Sequence, residues 1–140
     1  MAGAGENPGF TIQPIRALRP MDNVVIRRLA ALASGAILIV IVFATLASIQ
    51  QRPRLPMPVD FERGLAFAAL AFCLGVAVSR SYGLIAAGCI VLAGGLEWLQ
   101  TLLATRHGQV HDFEVKALGG LLGVAVVVVI RRWFQTRSPL

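Results

Sequence analysis

Four apolar runs, separated by short polar interruptions, set the pattern of this chain. No charged residue occurs between Arg28 and Arg52 or between Arg63 and Arg80. Glu97 is the only charge between Arg80 and Arg106, and none occurs between Lys116 and Arg131. The runs are continuous and lack amphipathic spacing, which is the pattern of helices solvated by lipid. The pattern predicts an all-α fold, a four-transmembrane-helix bundle with a disordered N-terminal tail. Its helices cover about 29–50, 60–79, 83–105 and 112–134, at about 20 residues per crossing. They form one transmembrane domain over about 25–134, after a polar, Gly- and Pro-containing tail over about 1–24 and before a short tail over about 135–140.

The interruptions mark the helix ends. The first run has an Ile- and Val-rich centre from Ile37 to Val42, which suits lipid contact, and Ser34 and Gly35 offer a closer helix contact. It is too long and too far from the start for a secretory signal and reads as an uncleaved anchor. Pro53, Pro56 and Pro58 then make an extended linker. Asp60 and Glu62 follow in a first helical turn, where carboxylates complement the helix dipole. The second run is short unless Arg63 snorkels. Arg80 and Tyr82 suit a turn at the membrane interface, and Trp98 and Trp133 suit interface belts. Gly108 is a helix terminator between the last two runs.

Composition agrees with this picture. The chain is 56% hydrophobic and only 14% charged, whereas a soluble domain carries about 25% charged residues. Its net charge is +6. The basic residues flank apolar runs and do not stripe a polar face, so they read as membrane anchors, with no nucleic-acid partner expected. Four crossings put both termini on one side. Arg16, Arg19, Arg27, Arg28, Arg80, Arg131, Arg132 and Arg137 fall on that side, and Arg52, Arg54, Arg63, Arg106 and Lys116 on the other. The larger group predicts cytoplasmic termini in a plasma membrane.

The remaining polar residues concentrate between Glu97 and Gly123. Glu97, Gln100, Thr101 and Ala104 share one face of the third helix, and Asp112, Lys116, Gly119 and Gly123 share one stripe of the fourth. The simplest assembly packs these two stripes together, with Gly119 and Gly123 allowing close approach. Glu97 then needs a cation, Arg106 or Lys116, because a bare carboxylate at membrane depth is costly. Asp60 and Arg63 complete an outward-facing ionic cluster. The cluster reads two ways: as a functional site, or as a polar lock between helices with Asp112 capping the fourth. Metal binding by His107 and His111 would need a helix continuous through Gly108, so no metal site and no cofactor are expected. Cys73 and Cys89 lie inside apolar runs and read as small hydrophobes. No Gly-x-Ser-x-Gly, His-Glu-x-x-His, P-loop or dinucleotide fingerprint is present.

The order of these residues resembles the VanZ-like membrane proteins. That family's signature is a Glu-x-x-Gln on the penultimate helix, an Arg several residues later, an Asp, then a polar residue and a Gly-x-x-x-Gly on the last helix. Here those positions are Glu97, Gln100, Arg106, Asp112, Lys116, Gly119 and Gly123, and the family's proline loop with its following Asp looks like Pro53, Pro56, Pro58 and Asp60. The resemblance spans about residues 50–125. The chain departs from the family pattern at Lys116, where many members have Asn. It departs again after Asp60, where Phe61, Gly64 and Leu65 replace a Lys and a His–Phe pair. The resemblance implies a small multi-pass protein of the bacterial cell envelope. Three functions follow as expectations: engagement of a lipid or lipid-linked head group by the outward cluster, intramembrane catalysis with Glu97 or Asp112 as acid or base, or a non-catalytic scaffold that uses Gly119 and Gly123 between chains.

Overall fold

The computed structural model describes residues 23–46, 58–79, 81–102 and 110–136. Those residues form four α-helices: α1 (Val24–Leu46), α2 (Val59–Ala77), α3 (Tyr82–Thr101) and α4 (Val110–Thr136). Among the described residues there is no strand. Helices α1, α3 and α4 are each long and apolar enough to cross a membrane. Helix α2 has 19 residues and carries Asp60, Glu62 and Arg63 in its first turns. The tails over 1–22 and 137–140 lie outside the described residues.

Helix ends differ from the sequence expectation where charge was taken as a boundary. Helix α1 starts at Val24, upstream of Arg27 and Arg28, because Asn23 supplies a cap: its Oδ1 accepts the Val25 N–H at 2.9 Å. Arginine is a good helix former, so a charge at the interface need not end a helix. Helix α2 begins after Pro58, whose φ of −55° and ψ of 136° are extended. The Pro58 carbonyl nevertheless accepts the first helical bond, from Glu62 N at 3.1 Å. Helix α3 ends at Thr101, earlier than the expected position near 105, and Leu102 N tightens the last turn onto Leu99 O at 3.2 Å.

The helices run alternately up and down. Arg27, at the start of α1, donates from Nε to the Ala77 carbonyl at the end of α2, at 3.0 Å. Thr45, near the end of α1, meets Gln100 near the end of α3. The starts of α2 and α4 meet through Arg63 and Asp112. One end of the bundle therefore gathers the end of α1, the start of α2, the end of α3 and the start of α4.

Helix α2 is the central helix. It packs most extensively on α4, then on α1, while α3 leans mainly on α4. Phe67, Leu70 and Ala71 of α2 join Ile41 of α1 and Cys89, Ala93 and Leu96 of α3 in the buried core. The α2–α4 contact is backbone against backbone. A Cβ added to Gly119 would fall on the Gly64 carbonyl oxygen, and one added to Gly123 would fall on the Ala68 carbonyl oxygen. This corrects the expected packing of the glycine stripe against α3: Gly119 and Gly123 face α2. The α3 contact passes instead to Gly120, where a Cβ would lie 2.8 Å from the Cys89 Cβ. One residue along a helix turns the face by about 100°, so adjacent glycines serve two neighbours. Gly35 has open space around it, whereas Ser34 is buried and donates to the Ala31 carbonyl at 2.8 Å. The outer faces are apolar on all four helices, with Leu32, Ile39, Leu84, Val91, Leu122 and Val129 among the most exposed side chains. A soluble monomer rarely shows so continuous an apolar surface.

Candidate functional site

The core faces of α3 and α4 turn polar toward the end where the four helices gather. On α3 the buried series Cys89, Ala93 and Leu96 continues as Glu97 and Gln100. On α4 the buried series Gly123, Gly120 and Gly119 continues toward the helix start as Lys116 and Asp112. Helical spacing alone brings these groups to one level. Lys116 is only 3% exposed, so its ammonium requires partners. Its Nζ donates to Glu97 Oε1 and lies 3.1 Å from Asp112 Oδ2, one turn earlier on its own helix. Asp112 Oδ1 accepts from Arg63 Nη1 of α2. Asp112 thus bridges two cations while Lys116 bridges two carboxylates.

The four charges cancel: Arg63 and Lys116 against Glu97 and Asp112. In a low-dielectric setting each such contact is strong, and removing one partner leaves the other uncompensated, at a cost of about 3–5 kcal/mol. The network spans α2, α3 and α4. A separate contact at the same level ties α3 to α1: Gln100 Nε2 donates to the Thr45 carbonyl at 3.2 Å. Thr45 is buried, one residue before the end of α1.

Exposure is graded across the network. The Lys116 side chain is sealed, whereas the Arg63 side chain is 28% exposed and forms the rim. Beside it, His111 Nε2 approaches Asp60 Oδ2 at 3.4 Å, with both side chains largely exposed. A rim pair of this kind contributes little. Asp60 therefore lies beside the cluster and not within its buried part. Thr101 also stays outside: it is exposed and its Oγ1 donates to the Trp98 carbonyl at 2.6 Å. Of the two cations that the sequence offered to Glu97, Lys116 takes the contact, and Arg106 lies outside the described residues, as does His107. Among the described residues no group of three or more His, Cys, Asp or Glu side chains is placed to hold a metal.

One member of the site was not singled out in the sequence. The Thr45 carbonyl sits at the end of an apolar run, and a backbone acceptor leaves no signature in residue identity. The available signal was Gln100 itself: a buried amide needs an acceptor, and helix C-termini supply them.

No family model, no curated protein and no solved structure matches the chain.

Proposed function

We propose that this chain is a VanZ-like, four-span protein of the bacterial plasma membrane whose outward polar end binds an anionic head group of a lipid or lipid-linked molecule. The observation that carries this reading is the convergence of Arg63, Glu97, Asp112 and Lys116 from three helices at one end of the bundle, with Arg63 the most exposed of the four. Three elements support it. Helix α2 is tied at its start to the start of α4 and at its end to the start of α1. Both partners belong to helices long enough to cross a membrane, which supports α2 as a further crossing. Its 19 residues span about 28 Å, close to the roughly 30 Å hydrocarbon core. The excess of arginines at the opposite end supports cytoplasmic termini and an outward cluster.

In the binding reading, Lys116 and Glu97 are the fixed base, and Asp112 holds the Arg63 guanidinium until a phosphate takes its place. A guanidinium fork matches phosphate oxygens in pairs. The second reading is a non-catalytic scaffold in which the cluster only locks the helices. Its support is the internal balance of the four charges. Gly119 and Gly123 are occupied within the chain by α2, so they are not the inter-chain face that a scaffold would use.

The test is mass spectrometry of lipids that stay with the detergent-solubilised protein, wild type against Arg63→Lys, which keeps the positive charge beside Asp112 and removes the guanidinium fork. The head-group reading expects one anionic species to disappear from the variant while folded protein is recovered in normal amount. Identical lipids in both proteins support the lock and contradict the binding site.

A further inference from the structure

An inner and an outer tie join the start of α2 to the start of α4 at the polar end. The inner tie is Arg63 to Asp112. In the outer tie His111 Nε2 lies 3.4 Å from Asp60 Oδ2. Asp60 stands one turn before Arg63 on α2, and His111 stands next to Asp112 on α4. The imidazole and the guanidinium therefore belong to the same seam between two helix starts. The Arg63 side chain is 28% exposed and the His111 side chain 66%. A head group that approaches Arg63 along this seam comes within reach of the imidazole.

Histidine is the side chain that changes charge between about pH 5 and 8. The neutral ring has a single N–H, and the protonated ring has two with a positive charge behind them. The charged groups around His111 are Asp60, Glu62 and Arg63 on α2, Asp112, Glu114 and Lys116 on its own helix, and Glu97 of α3, which Lys116 contacts. Asp112 already bridges Arg63 and Lys116, so Asp60 is the carboxylate that the imidazole meets. With Nε2 on Asp60, a proton gained at Nδ1 gives the ring a donor for another acceptor. A phosphate keeps an oxygen to spare after a guanidinium fork has taken two.

We propose that His111 is a second, acid-dependent ligand for the phosphate engaged by Arg63, so that the polar end binds a phosphate head group more tightly at mildly acidic than at mildly alkaline pH. The inference rests on the head-group reading of the polar end and adds its regulation. Asp60 positions the ring through Nε2, and Nδ1 shares the phosphate oxygens with the Arg63 guanidinium. An exposed imidazole–carboxylate pair contributes little to holding the helices together, so the ring is not needed as a lock.

The test titrates short-chain phosphatidylglycerol, a phosphodiester whose own charge is constant over this range, into the full chain in uncharged maltoside micelles, with binding followed by calorimetry at about pH 5.5 and about pH 8. The wild type should bind about three-fold more tightly at the lower pH, the scale of one exposed ion pair. His111→Gln should show the weaker affinity at both pH values and His111→Lys the tighter one at both. His107→Gln should keep the wild-type ratio, which separates His111 from the other histidine of the chain. Arg63→Lys, which leaves the imidazole in place, should weaken binding at both pH values and keep the ratio. A wild-type affinity equal at the two pH values, or a pH dependence that survives His111→Gln, overturns the proposal while leaving the head-group site standing if Arg63→Lys still weakens binding. Absence of wild-type binding at both pH values overturns the head-group reading and this inference with it.

Discussion

Replacing Glu97 with glutamine removes one of the two carboxylates that hold Lys116 and leaves the buried network one positive charge in excess. Asp112 then faces both Lys116 and Arg63 alone. Loss of one partner from a buried charge pair costs about 3–5 kcal/mol. Lys116→Met is the mirror perturbation, leaving two buried carboxylates with Arg63 as their remaining cation, and a cost of similar size is expected. The double variant Glu97→Gln with Lys116→Met removes one charge of each sign. It restores balance, leaves the Arg63–Asp112 pair in place and fits the methionine into the lysine's volume. Its destabilisation should fall below the sum of the singles by about 2 kcal/mol or more. The assay is a double-mutant cycle on the detergent-solubilised protein, with unfolding in mixed micelles followed by helical circular dichroism. Additivity within about 0.5 kcal/mol would refute the claim that these groups form one compensated unit.

Other substitutions divide along the packing. Gly123→Val should disrupt the α2–α4 contact by more than about 3 kcal/mol, because its Cβ would meet the Ala68 backbone; Gly88→Ala, in open space, should be neutral or slightly stabilising in the same unfolding assay. Gln100→Leu should cost about 0.5–1.5 kcal/mol, since it removes the hydrogen bond to the buried Thr45 carbonyl, and cysteine crosslinking should report a loosened α1 end. Asp60→Asn should change stability by less than about 1 kcal/mol, because its contact to His111 is exposed.

Much of the fold was legible because lipid imposes a simple rule. Long apolar runs must be helical to satisfy their own backbone, and the charges between the runs marked the connections. The polar groups were legible for the related reason that buried charge is costly. Glu97, Gln100, Asp112 and Lys116 stood out against apolar neighbours, and all four are buried. Which helix faces which was less legible. Asp112, Lys116, Gly119 and Gly123 do share a stripe, but that stripe faces α2, and the four-carbon stem of Lys116 carries its charge across to Glu97 on α3. Spacing fixes a face and leaves the reach of a long side chain undetermined. The role of Gly64 and Ala68 as partners of the glycine stripe was hidden because small residues are common throughout these helices.

The orientation of the cluster depends on α2 crossing the membrane, and labelling of its two ends tests this most directly. Single cysteines at Val59 and at Ser79, in a background with Cys73→Ser and Cys89→Ala, are treated in intact cells with a membrane-impermeant maleimide. Labelling at 59 in intact cells, with labelling at 79 only after permeabilisation, is the predicted result. Labelling of both positions from the same side would contradict a fourth crossing and with it the placement of the polar cluster at the outer face.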